Sequence, residues 1–277
     1  MDSNDLTIVI VTFNSELKIA DCLKSIENKA EIIVVENSNN ETFKKNLENQ
    51  YRNLKCILTG GNKGYAVANN IGLKSVKTNY ALVLNPDTIL DKNAIHNFLI
   101  SAKKNDDFWL IGPASDQMVD IKFEANKLVE VNNIKGFAIF FNLRMFKNEF
   151  FDENYFLYFE EIDLCKRVKK NRGKIYLDPS IKVRHSGASS VDKISNIKLE
   201  KNRNWHWMWS TFYFHKKHQG FLFALLKILP KFISAFIKVI IYSIIINKKK
   251  RDIYYCRLSG IFNSMIGKKS WYRPSLD

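Results

Sequence analysis

"LTIVIVTF", Leu6–Phe13, holds four successive β-branched aliphatic side chains, Ile8 to Val11. A run without polar and apolar alternation is the pattern of a strand buried on both faces, which needs a layer above it and a layer below. "SELKIADCLKSIENK" (Ser15–Lys29) follows, with Leu17, Ile19, Cys22, Leu23 and Ile26 at near-helical spacing. "EIIVVENS" (Glu31–Ser38) is a second buried strand. A buried strand, a helix and another buried strand make the repeating unit of a parallel sheet covered by helices.

Outward from this unit the alternation continues. A polar helix candidate precedes a short strand at Lys55–Thr59, "GYAVANNIGLKSV" reads as a helix opening after Gly61 and Gly64, and "YALVLNPD" (Tyr80–Asp87) is a strand ending in a turn. The expected fold class is α/β, a doubly wound, mostly parallel sheet, whose ligands sit at the carboxyl ends of its strands. Those ends carry Thr12, Asn14, Glu36, Asn37, Asn85 and Asp87. No internal repeat or low-complexity tract interrupts the pattern.

The 277 residues suffice for one large domain with an appendage, and a 46% hydrophobic fraction rich in Phe and Tyr excludes disorder of the whole chain. A formal charge of +15 points to an anionic partner: a phosphorylated substrate, an anionic membrane or nucleic acid. Cys22, Cys56, Cys165 and Cys256 form no CxxC pair, so a reducing cytosol is expected rather than a thiolate zinc site or disulfide framework. The opening "MDSNDLTIVIVTFN" lacks a basic segment before its apolar run and is expected to be the first strand rather than a signal peptide.

Several stretches carry chemistry, each beside a plainer explanation. "NPD" (Asn85–Asp87) puts a carboxylate where a strand ends, within reach of a hard divalent cation, Mg²⁺ or Mn²⁺, bridging two phosphates; it is also an ordinary Asn-Pro-Asp turn. "NKGYAVANN" (Asn62–Asn70) could offer N–H groups and side-chain amides to a nucleotide, although it is neither GxGxxG nor a Walker A loop. "FLYFEEIDLCKR" (Phe156–Arg167) crowds Glu160, Glu161 and Asp163 behind an aromatic run. A metal, a proton to be moved, or the helix dipole's preference for acids in its first turn would each account for them. "RHSGASS" (Arg184–Ser190) follows the expected strand "KIYLDPSIKVRH" and contains His185, one of five histidines. "RNWHWMWSTFYFHKKH" (Arg203–His218) is aromatic and basic, as in a surface that stacks single-stranded nucleic acid or in a helix at a membrane interface.

In their order, "VTFN", "VVENS", "NKGYAVANN", "LNPD", "KGFAIFFNLRMF", "FDENYFLYFEEIDLCKR" and "RHSGASS" resemble an inverting glycosyltransferase of family 2, and within it the bacterial rhamnosyltransferase-like branch that builds O-antigen and other surface polysaccharides. The resemblance spans roughly residues 6 to 220. It implies a GT-A fold, a nucleotide-sugar donor (dTDP-rhamnose, or alternatively a UDP-hexose), a divalent metal and a polyprenyl-diphosphate-linked saccharide acceptor. Carried over by position, Thr12, Phe13 and Asn14 fall on the nucleotide segment. Glu36, where the family usually has Asp, falls at the base or ribose, with Asn37 beside it. Asn62, Gly64 and Asn69 match the segment beside the donor. Asn85 to Asp87 match the DxD motif, with Asn in place of the first Asp, so that Asp87 and His185 are the implied metal ligands. Glu161 falls at the general base, with Glu160 and Asp163 orienting and Asp163 the second choice as base. A nucleotidyltransferase would share the sheet but needs a basic nucleotide loop that "VTFNSEL" does not supply.

The last sixty residues read differently. "FLFALLKILPKFISAFIKVIIYSIII" (Phe221–Ile246) is apolar but interrupted by Lys227, Pro230, Lys231 and Lys238, and "NKKKR" follows it. Lysines inside the stretch argue against a spanning helix and for interfacial helices, so residues 1–215 are expected to form the catalytic domain and 216–277 a helical, membrane-associating extension. The plainer explanation is soluble helices packed on the main domain or on a second subunit, as in a homodimer. The enzyme is expected on the inner face of the bacterial cytoplasmic membrane. No nucleic-acid partner is expected, because the positive charge is weighted towards the C-terminal region rather than the strand ends.

Overall fold

The computed structural model describes residues 5–26, 30–114, 127–185 and 196–273. The continuous apolar runs form the middle of an eight-stranded sheet. Strand β1 (Leu6–Thr12) is buried along its whole length and lies between β2 (Glu31–Glu36) and β4 (Tyr80–Leu84), parallel to both. Strand β3 (Leu54–Leu58) extends β2 in the same direction. The expected helices connect them: α1 (Glu16–Ile26), α2 (Glu41–Gln50) and α3 (Tyr65–Ser75). The order β3-β2-β1-β4 reverses its direction of growth between β1 and β4, the point at which doubly wound sheets open a crevice at their carboxyl ends.

Helix α3 lies very close to this sheet. A Cβ on Gly72 would come within 2.4 Å of Val9 Cγ1 and 3.0 Å of Val35 Cγ2, so only glycine fits there.

Beyond β4 the sheet is mixed. Strand β8 (Ala138–Asn142) runs antiparallel between β4 and β6 (Phe108–Pro113), β9 (Lys174–Asp178) continues parallel to β6, and β7 (Val129–Glu130) closes the edge. Helix α4 (Ala94–Lys104) covers this half, its Phe98 stacked on Phe140 at 5.1 Å in a cluster with Tyr80 and Phe108. One expectation needs correcting: "KIYLDPSIKVRH" is two strands, not one. It divides into β9 and β10 (Val183–His185), and β10 pairs antiparallel with β5 (Thr88–Leu90) in a separate two-stranded ladder. Pro179 has no N–H to continue a strand, and the Asp178 carboxylate holds the turn by accepting from the Ser180 N–H (2.8 Å), the Ser180 hydroxyl (2.6 Å) and the Ser101 hydroxyl.

The chain divides into two compact units, Met1–Asp152 with Glu161–Asp192, and Glu153–Glu160 with Lys193–Asp277. The first contains both sheets and α5 (Glu160–Lys170) from Glu161 onwards. The second contains α6 (Asn196–Gln219), α7 (Phe221–Ile244) and α8 (Lys248–Met265). The boundary expected after residue 215 falls inside α6, which runs unbroken to Gly220, a glycine at φ 90 that turns the chain into α7.

Within the second unit Met208 and Phe212 of α6 pack with Ala224 and Ile228 of α7 and Ile261 of α8. Helices α6 and α8 approach so closely that a Cβ on Gly260 would sit 2.3 Å from the Trp205 carbonyl oxygen. This accounts for the aromatic, basic stretch Arg203–His218. Trp205, Trp209 and Phe212 are buried, the Trp205 indole donates to Ser259 Oγ (3.1 Å) and the Trp209 indole to the Lys268 carbonyl (3.0 Å). These three rings are helix core, whereas Trp207 of the same stretch is exposed. His206 is enclosed too, between Ser270 Oγ and the Tyr272 carbonyl, both at 2.8 Å, and burial lowers its pKa to about 3, so it is neutral. Among the described residues no helix is long and apolar enough to cross a membrane.

Candidate active site

The carboxyl ends of β1, β2 and β4 gather most of the expected site residues on one edge of the first unit. Thr12 ends β1 fully buried, with no hydrogen-bond partner for its hydroxyl among the described residues. Phe13 and Asn14 follow in a tight turn: Ser15 Oγ accepts from the Phe13 N–H (3.3 Å) and donates to the Phe13 carbonyl (3.0 Å), while Asn14 takes a left-handed φ of 47. At the end of β2, Glu36 accepts from the Ser38 N–H (2.9 Å), the Ser38 hydroxyl and the Asn40 N–H (2.6 Å). Both carboxylate oxygens therefore hold the β2–α2 turn, where the sequence suggested a base or ribose contact.

Asn37 ties this turn to the glycine segment after β3. Its Oδ1 accepts from Thr59 Oγ1 (3.0 Å) and the Lys63 N–H (2.9 Å), and its Nδ2 donates to Asn62 Oδ1 (3.2 Å). Asn62 Oδ1 also accepts from the N–H of Gly64, which at φ 89 takes a conformation only glycine adopts readily and starts α3. One turn on, Asn69 donates to the Tyr65 carbonyl (2.9 Å) while its own Oδ1, fully buried, has no partner among the described residues.

The third strand end brings the carboxylate. Both side-chain oxygens of Asp87 are buried, and among the described residues neither has a hydrogen-bond partner. The β5–β10 ladder sets His185 opposite Thr88, which puts His185 Nε2 3.4 Å from Asp87 Oδ1. That separation is within ion-pair range, yet the geometry is not that of a hydrogen bond. The His185 ring is fixed by stacking on Phe137 at 4.8 Å. A buried carboxylate without donors is costly unless something charged satisfies it. Two hard or borderline ligands with open positions suit a divalent cation whose other ligands are substrate oxygens and water. Among the described residues no group of three or more His, Cys, Asp or Glu could hold a metal, so such an ion would need those outside ligands. Ser186 to Ser190 of "RHSGASS" lie outside the described residues.

Asn85 connects this edge to the acidic helix. Its Oδ1 lies 3.1 Å from the Tyr65 hydroxyl, which is also 3.0 Å from the Gly136 carbonyl. Gly136 in turn faces Glu161: the Cβ it lacks would lie 3.5 Å from the Glu161 carboxyl carbon. Glu161 keeps partial exposure at the surface, yet its carboxyl lies among enough protein that burial raises its pKa. The N–H groups of Glu161 and Ile162 and the charge of Lys135 pull the other way with less effect. Asp163 is fully buried and accepts from Arg167 Nε at 2.8 Å, and Arg167 also donates to the Phe150 carbonyl. The guanidinium contact fixes Asp163 in place, which suits an orienting group better than a base. Glu160 is buried at the first position of α5 and belongs to the second unit.

Tyr65, Lys135, Phe137 and Arg167 were not singled out from the sequence, although all lie inside or beside the quoted segments. Tyr158 and Phe159 are a different case. Both adopt left-handed φ, 71 and 73, immediately before α5, and their rings pack on Trp207 at 5.2 and 5.4 Å. Two successive aromatic residues in this region cost of order 1–3 kcal/mol each, and such strain gathers at functional sites. No glycine or asparagine marks the position in the sequence.

A sequence profile described as Glycosyl transferase family 2 matches residues 7–164, more than half of the chain. The low-salt glycan biosynthesis hexosyltransferase Agl10 of Haloferax volcanii is 24% identical over 227 residues, 72% of this chain and 70% of that protein. A teichoic acid poly(glycerol phosphate) polymerase of Staphylococcus epidermidis is 32% identical over 118 residues, 40% of this chain and 16% of the polymerase. Among solved structures, the mannosyltransferase PcManGT from Pyrobaculum calidifontis, in complex with GDP-Man and Mn²⁺, has a TM-score of 0.58 at 11% identity, covering 97% of this chain and 90% of its own. Residues 1–349 of S. aureus TarS score 0.51 at 14% identity, covering 99% and 93%. These two likenesses bear on the fold, which is GT-A. With the profile match running from β1 into the acidic helix α5, the chain belongs to glycosyl transferase family 2.

Proposed function

We propose that this glycosyltransferase moves L-rhamnose, with inversion at the anomeric carbon, from dTDP-rhamnose to a polyprenyl-diphosphate-linked saccharide, as a step of surface-polysaccharide synthesis at the cytoplasmic face of a bacterial membrane. The observation that carries the donor half of this reading is Asp87, a buried carboxylate whose two oxygens have no hydrogen-bond partner among the described residues, 3.4 Å from His185 at the carboxyl edge of the sheet. Asp87 and His185 would hold Mn²⁺ or Mg²⁺, with the donor diphosphate completing the shell. Bound there, the ion supplies Lewis-acid stabilisation of the departing diphosphate.

The protein's own groups do the rest. Thr12, Phe13 and Asn14 line the nucleotide side, and the Thr12 hydroxyl and Asn69 Oδ1 are free to bond the donor. Glu36, Asn37, Asn62 and Gly64 shape the turns on which the nucleoside rests, and Asn85 is aimed by Tyr65. Glu161 takes the proton of the acceptor hydroxyl as that oxygen bonds to the anomeric carbon and the bond to the diphosphate breaks. Its raised proton affinity suits a base that works near neutral pH. Asp163, held by Arg167, and Glu160 orient the helix that carries it.

A UDP-hexose donor fits the same residues, since none of these distances reads the sugar ring. Calorimetric titration of dTDP-rhamnose, UDP-glucose, UDP-galactose and GDP-mannose, with Mn²⁺ and then with EDTA, separates the two. Metal-dependent binding of dTDP-rhamnose alone is the expected result. Binding of a UDP-hexose instead would reassign the donor, and binding of none would remove the donor-site reading.

A further inference from the structure

Helix α7 has two opposite faces. Successive residues advance about 100° around a helix, so Ala224, Ile228 and Ala235 share one side, and these are its buried residues. Diametrically opposite run Leu222, Leu226, Leu229, Ile233, Ile240 and Ile244, each between 46% and 76% exposed. The stripe follows a 24-residue helix, about 36 Å at 1.5 Å per residue. Contiguous apolar surface on this scale marks an interaction site.

The rim of the stripe says what it meets. Lys227, Lys231 and Lys238 lie together at one flank, nearer the buried residues than the stripe. The Lys227 ammonium sits 5.4 Å over the Phe223 ring and the Lys238 ammonium 4.9 Å over Tyr254. Lys250 sits 5.4 Å over Tyr242, and the Arg257 guanidinium 4.9 Å over Tyr254. These cations thus sit over aromatic rings, on long side chains whose apolar stems let a charge reach a phosphate layer from an apolar one. From Lys216 to Arg273 the sequence holds thirteen lysines and arginines and a single acid, Asp252. A second copy of the chain, meeting the stripe about a two-fold axis, would bring this basic rim against itself with almost no acid to answer it. An anionic bilayer offers an apolar layer and negative charge together.

We propose that α7 lies flat in the interface of an anionic lipid bilayer, its Leu222-to-Ile244 stripe at the acyl boundary and its flanking lysines among the headgroup phosphates. Nothing here depends on the donor site, so this inference and the transferase specificity can fail separately.

The test is co-sedimentation of the full chain with vesicles of phosphatidylcholine, with and without phosphatidylglycerol, at two salt concentrations. The comparison variant is Leu226→Glu/Ile233→Glu/Ile240→Glu, with circular dichroism to confirm its fold; Ile240→Glu alone serves if the triple variant fails to fold. The expected result is binding to phosphatidylglycerol vesicles that weakens by at least about tenfold on neutral vesicles and again in the variant. Equal binding by the variant would mean that charge acts alone, and no binding by the folded wild type would leave the stripe without a lipid partner; either overturns the proposal. So would a dimer in light scattering that the variant dissolves, since the stripe would then be an interface between copies.

Discussion

Burial raises the proton affinity of Glu161, with two separable consequences. The proposed base must be deprotonated, so transfer should fall as pH drops through its raised pKa. Glu161→Gln should keep donor binding and lose about 10²–10⁴-fold in transfer rate; retained transfer would move the base elsewhere. For stability the sign is opposite. A carboxyl raised in the folded state adds stability that is fully present below its unfolded pKa and lost as pH rises through the folded one. The neutral amide has no such loss, so Glu161→Gln should melt higher than wild type at pH 8 and no higher at pH 4. Asp87 makes the complementary case. Mn²⁺ with dTDP at about 100 times Kd should stabilise the wild type by about 2.7 kcal/mol, several degrees in Tm for a chain of this size. Asp87→Asn should show no such rise, and an unchanged rise would take Asp87 out of the metal site. Both carboxylates were legible as candidates from residue type and order. The turn-holding bonds of Glu36 were not, because nothing in "VVENS" says which N–H groups will converge on its side chain.

Elements were readable in proportion to how far their own residues determine them. β1, β2 and β4 are buried by their neighbours on both faces, so continuous apolar runs announced them within a residue or two. The break between β9 and β10 depends on Asp178 bonding to Ser180 and Ser101, the latter 77 positions away. The left-handed Tyr158–Phe159 pair depends on packing against Trp207. Neither has a local signature. Close approach between elements is equally hidden, yet it makes a sharp prediction. Gly72→Ala would force α3 away from Val9 and Val35, at a cost of about 1–3 kcal/mol, seen as a lower denaturation midpoint with an unchanged slope. A neutral substitution would mean that α3 packs more loosely than its distances imply.

Over the whole molecule, charge and hydropathy set the C-terminal region apart after residue 215, a position inside α6. The aromatic, basic pattern of α6 suggested a surface for bases or a membrane interface, whereas its Trp205, Trp209, Met208 and Phe212 pack with α7 and α8. A chain ending at residue 219 should therefore be insoluble or melt well below the full chain, since those four side chains lose their cover. A soluble truncation with unchanged Tm would show α6 to be independent of the helices that follow it.

Residues 153–160 belong with the C-terminal helices, and the chain re-enters the sheet unit at Glu161. Phe156 stacks on His206 at 4.5 Å, and the Leu157 carbonyl accepts from Ser210 Oγ at 2.9 Å. The polypeptide passes between its two units three times, and one passage falls between Glu160 and Glu161. The helical unit is consequently not a cassette that recombination could exchange at a single joint. A chimera spliced near residue 192 would pair foreign helices with a native loop shaped for others, and the mismatch would arrive one peptide bond from the proposed base. Inheritance of this acidic helix and of the C-terminal helices is expected to be joint.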